Sequence, residues 1–148
     1  MQLDLEGIRA VVFDVDGTLF DKSRLPLHLV LADPLYMFVL NNERKARRYC
    51  QFAVRKRAIP LASHLLYPQI LNDDDPGDRQ LGLFFGTVLL GKCDECWVFG
   101  ETISAGMATE IAKAKKRGIP IRYFTEDMEE VRADANAEDR LRQKPERT

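Results

Sequence analysis

The chain has 148 residues, 45% hydrophobic and 30% charged, with 22 basic side chains against 23 acidic ones. That length suits one domain that buries roughly two thirds of its unfolded surface without a disulfide or metal staple, and the apolar fraction excludes a fully disordered chain. A net charge of -1 gives no general reason to bind nucleic acid or an anionic membrane, and three cysteines, an odd count, make no disulfide framework.

Ile8 to Phe13 (IRAVVF) is a short apolar run rich in β-branched residues that ends at Asp14-Val-Asp-Gly, which predicts a buried parallel strand and a tight turn. Residues 26–58 read as helical with a break at Asp33-Pro34, because proline removes a donor and disfavours helix just before it. Ala58 to Ser63 predicts a second strand, His64 to Leu71 a helical turn, and Asn72-Asp-Asp-Asp-Pro-Gly a loop. From Asp78 to Leu90 the apolar spacing is helical, and Gly82 and Gly86, four apart, allow another backbone to approach closely. Glu95 to Gly100 predicts a third strand and Ile119 to Phe124 a fourth. Between them lies the best-defined helix, Ser104 to Arg117: Ser104 is an N-cap, four cations favour its end, and Gly118 stops it. From Glu126 the chain turns charged and poor in large apolar residues, so 126–148 reads as a frayed helix or disordered tail. Alternating strands and helices predict one α/β domain over 1–125, a doubly wound parallel sheet of Rossmann-like type.

In such sheets ligands bind beyond the carboxyl ends of the strands. That edge collects Asp14, Asp16 and Gly17; Ser63 and His64; Gly100, Glu101 and Ser104; and Thr125. Glu110 shares a helical face with Met107, Ile111 and Ala114, where a carboxylate is costly to bury without a task or a partner. It lies under two turns from the helix start, whose amides near Ser104 to Met107 favour an anion such as a phosphate. The plainer alternative is a solvated Glu110 paired with Lys113. His64 is open to two readings, a ligand contact or a capping role, whereas Cys93-Asp-Glu-Cys96 reads as plain buried thiols. The seven cations between Glu43 and Arg57 read as a solvated helix face.

From Asn42 to Phe124 the sequence resembles an uncharacterised bacterial and phage branch of the nucleoside 2-deoxyribosyltransferase-like superfamily. The resemblance rests on RRYCQFAV, IPLASHLLYPQIL, DDPGDR, LLGKCDECWVFG and above all ISAGMATEIAKAKKRGIPIRYF. It implies cleavage or transfer of the N-glycosidic bond of a deoxynucleoside or its monophosphate, with Glu110 as nucleophile. Ser104 and the Gly106 and Met107 amides would then hold a 5′-phosphate or sugar hydroxyl, with His64, Gly100 and Glu101 beside the substrate. A carboxylate suits that chemistry because it captures an oxocarbenium-like sugar covalently before water or another base displaces it. The chain departs from the active enzymes in two places. It has no small, polar loop after its first strand, and it carries Gly86-Thr87 where they have an Asp.

Residues 8–48 instead carry RAVVFDVDGTLFDKS, which resembles motif one of the haloacid dehalogenase (HAD) phosphatases. That resemblance implies Asp14 as phosphoryl acceptor, Asp16 as general acid/base and Mg²⁺ bridging them. The Ser/Thr, Lys and acidic pair that the family requires downstream lack matching surroundings here, so a first strand with structural aspartates is the favoured reading. No cofactor is expected outside the HAD alternative. The expected partner is a small-molecule nucleotide or phosphorylated ligand; nucleic acid and membrane are not expected. A second copy of the chain is admissible as a partner, and the expected location is cytoplasmic.

Overall fold

The computed structural model describes residues 7, 9–12, 34–72 and 74–131, without the side chains of 34–40. Its strands are β1 (Arg9–Val12), β2 (Ala58–Leu61), β3 (Glu95–Phe99), β4 (Ile121–Phe124) and β5 (Glu130–Val131). The helices are α1 (Pro34–Arg55), α2 (Ser63–Leu66, continued as a 3-10 turn over Tyr67–Gln69), α3 (Pro76–Leu90) and α4 (Ala105–Lys116). One five-stranded sheet has the order β2-β1-β3-β4-β5, parallel except for the last pair. The chain is therefore a mixed α/β domain in which β1 sits inside the sheet between β2 and β3.

Strands inside a parallel sheet must be apolar on both faces, and β3 meets that requirement residue by residue. On one face Val11, Trp97, Phe99 and Phe124 pack against Ala46, Tyr49 and Ala53 of α1. On the other, Val12, Cys96, Val98 and Tyr123 pack against Leu90 of α3 and Met107, Ile111 and Ala114 of α4. Helices thus cover both faces, and the period-2 alternation of the strands sorts the core into two layers. The α1 layer is aromatic: the Tyr49 and Phe99 rings stack with centroids 4.1 Å apart, and Phe124 stacks on Phe99 at 5.0 Å. Burial, with the nearby Glu126 charge assisting, pushes the Tyr49 hydroxyl up to about 12.

Where these layers meet solvent at the start of the strands, Glu95 organises the polar groups. It accepts from the Trp97 indole N–H at 2.6 Å and pairs with both Arg9 and Arg122. Arg122 lies 5.2 Å from the Trp97 ring centroid and is also paired with Glu130 of β5. Such a guanidinium stacks as well as pairs, so charge and packing hold the same edge.

Two boundaries differ from the sequence expectation. The α3 helix begins at Pro76, not Asp78, because the Asp75 carboxylate caps it by accepting from the Gly77 and Asp78 amides at 2.8 and 3.0 Å. Proline in the first turn needs no hydrogen-bond partner for its nitrogen, so Asp-Pro-Gly starts a helix here instead of a loop. The charged segment after Glu126 also contributes structure. The chain turns at Met128, with φ 66°, and lays β5 antiparallel on β4. The residues expected to form a tail beyond Val131 lie outside the described set.

Replacing Trp97 with alanine removes a fully buried ring and the donor that serves Glu95. We expect Trp97→Ala to destabilise the fold by about 3–5 kcal/mol, read from urea unfolding midpoints. Val54→Ala, at a position 60% exposed, should stay within about 0.5 kcal/mol of wild type.

Candidate functional site

The carboxyl edge of the sheet is built by the segments that leave the strands. After β3, Gly100 adopts a positive φ of 100°, a conformation that glycine takes at low cost, and its amide donates to the Phe124 carbonyl at 3.0 Å. This pins the β3 exit to the β4 exit and leaves Glu101 exposed. Ser104 then caps α4: its Oγ accepts from the Met107 amide at 3.2 Å. The Met107 side chain is buried in the core, and its amide is taken by the cap. Any ligand at this helix start would meet the Ser104 hydroxyl proton and exposed Gly106 before it met Met107.

Glu110 lies five residues beyond Ala105, about 8 Å down the helix axis. The residue is half-buried, and its Oε2 is closed off from solvent. Its Oε1 lies beside α3. A Cβ at Gly86 would stand 4.0 Å from Glu110 Oε1 and 3.5 Å from Ser63 Oγ. Glu110 of α4, Ser63 just beyond β2 and the bare backbone of α3 therefore meet at one point. The seam is tied further down by α4 and its C-cap: Lys113 Nζ donates to Thr87 Oγ1 at 2.9 Å, and Arg117 donates to the Thr87 carbonyl at 2.6 Å. The glycine pair expected to form a close-approach seam serves contacts within the chain. Gly82 faces Leu71 and Tyr67, and Gly86 faces Ser63 and Glu110.

His64, next to Ser63, is half-buried with both ring nitrogens shielded from solvent. Desolvation lowers its pKa to about 4, against an opposing pull from Glu43 of α1, so the ring is neutral at pH 7. Cys93 is buried with its thiol pushed up to about 11, first by burial and then by the Asp94 and Glu110 charges. Cys50, Cys93 and Cys96 are thiols, and among the described residues no group of three or more His, Cys, Asp or Glu side chains is placed to hold a metal ion. Asp14 and Asp16, the phosphoryl acceptor and acid/base of the HAD reading, lie outside the described residues.

The sequence pattern puts Ser63 at this edge but does not pair it with Glu110 or with Gly86. That pairing depends on how α3 crosses the end of β2, which no local spacing encodes. Among the described residues no helix is long and apolar enough to cross a membrane. Residues 29–124, well over half of the chain, match the family described as Domain of unknown function (DUF7768), and the chain belongs to that family. No curated protein matches it.

Two measurements check this geometry. The unfolded chain takes up a proton on His64 near pH 6.5 and the folded chain only near 4, so folding stability should fall as pH drops through that window. The loss is on the order of 3 kcal/mol at most, and His64→Gln should flatten that part of the stability profile. A Cβ at Gly86 meets its neighbours only at ordinary contact distance. Gly86→Ala should therefore raise stability by about 0.5–1 kcal/mol in urea unfolding.

Proposed function

We propose that this DUF7768 family member has a Rossmann-like domain that handles a nucleotide or related phosphorylated ligand at the start of α4. On this reading Glu110 is the nucleophile for cleavage or transfer of an N-glycosidic bond. The observation that carries the proposal is the half-buried Glu110 carboxylate beside Ser63 and Gly86, behind a serine-capped helix start.

The resemblance to deoxyribosyltransferase-like proteins supplies the reaction class, and the geometry is suited to it. The N-terminus of α4 favours a phosphate or another anion, and the Ser104 hydroxyl can donate to it while still accepting from Met107. An anion held there would leave a sugar further along the helix, toward Glu110. The carboxylate would attack the anomeric carbon and form a glycosyl ester as the bond to the base breaks, the base taking up a proton from solvent. Water, or the nitrogen of a second base, would then displace the sugar and return the carboxylate. Gly86 keeps the space next to Glu110 open, since it has no side chain to fill it.

Release of free base from deoxynucleoside monophosphates, measured by chromatography, tests the proposal. Glu110→Gln keeps shape and loses charge, so base release should vanish while nucleotide binding persists and the fold stays intact. Ser104→Ala should weaken binding of the phosphorylated ligand by about 1–3 kcal/mol. Nucleotide binding without base release by the wild type would assign the domain to a non-catalytic binding module. Full activity in Glu110→Gln would remove Glu110 from the mechanism.

A further inference from the structure

The outer side of α3 faces away from both core layers and from the glycine seam. Leu81, Phe84 and Val88, at i, i+3 and i+7, form one stripe there and are 40%, 60% and 42% exposed. The three side chains of the stripe offer on the order of 250 Å² of apolar surface, about a third of the roughly 800 Å² that each partner contributes to a standard interface. Surface apolar residues scattered singly carry no message, but a contiguous stripe on one helix marks a contact.

The charges around the stripe say which contact. From Gln80 to Gly91 the sequence has no ionisable side chain. Before that stretch stand Asp74, Asp75 and Asp78, with Arg79 as the one cation among them. After it stands exposed Lys92, joined by Arg117, whose guanidinium reaches back over Gly91 to the Thr87 carbonyl. Asp94 lies on the same side, already accepting from the Ala10 amide. The helix is thus net acidic at its start, net basic at its end and neutral between.

We propose that the chain forms a two-fold dimer in which α3 packs antiparallel against α3 of a second copy, with the two Phe84 rings near the axis. That arrangement is self-complementary: each apolar stripe covers the other, and the Asp74–Asp78 end of one helix meets the Lys92 and Arg117 end of its partner. A parallel pairing would set like charges against like at both ends. Gly86 and the Glu110 carboxylate beside it lie on the other side of the same helix.

Sedimentation equilibrium of the full chain at about 100 µM should give a mass approaching twice the 16.9 kDa of the chain. Phe84→Lys should run as a monomer with an unchanged far-ultraviolet circular dichroism spectrum. Asp74→Lys and Lys92→Asp should each weaken self-association at least ~10-fold, and an equimolar mixture of these two variants should recover it as a heterodimer. A monomeric wild type, a dimer that survives Phe84→Lys, or charge variants that associate like wild type would each overturn the proposal.

Discussion

The fold depends on β3 being apolar on both sides. Trp97 and Phe99 point to α1, while Cys96 and Val98 point to α3 and α4, and all four are buried. A strand of that kind gains its stability only if every neighbour arrives in register, which is what the pairings of Val12 with Cys96 and of Phe99 with Phe124 secure. The Glu95 cluster limits slippage at the start of the strand. Moving β3 by one residue would carry Glu95 away from Arg9 of β1 and Arg122 of β4 and turn Trp97 and Phe99 toward the α4 side.

From that constraint the candidate site is built in order. Because β3 and β4 end together, with the Gly100 amide on the Phe124 carbonyl, the chain must turn sharply and restart as a helix over the α3 side of the sheet. Ser104 starts it, the Met107–Ile111–Ala114 stripe seats it, and the position between those anchors carries Glu110 to the flank where α3 passes. At Gly86 α3 passes beside Ser63 and the carboxylate, and the adjacent Thr87 collects Lys113 and Arg117. A core-packing residue on either side of Glu110 therefore also fixes where its charge can go.

Much of this was legible in the sequence. The β-branched runs gave all four parallel strands within a few residues, and Ser104 with Gly118 bounded α4, because these signals are local. The parts that were not legible depend on distant partners. Glu130–Val131 pairs with β4 through Arg122, yet two charged-segment residues carry no strand pattern of their own. Asp75-Pro76-Gly77 reads equally as a turn or a helix start, and only the accepted amides decide between them. At the site, the apolar stripe drew attention to Glu110, but its nearness to Ser63 arises from a helix crossing a strand end.

The central claim is that the Glu110 carboxylate is a nucleophile, not a spacer between two helices. Incubating the chain with a 2′-fluoro-substituted nucleoside monophosphate, whose glycosyl ester hydrolyses slowly, and mapping adducts by peptide mass spectrometry would test it directly. The account predicts one sugar-phosphate adduct on Glu110, formed with release of one equivalent of base. Base release with the adduct on another residue, or no adduct on Glu110 while the nucleotide is bound, would contradict it.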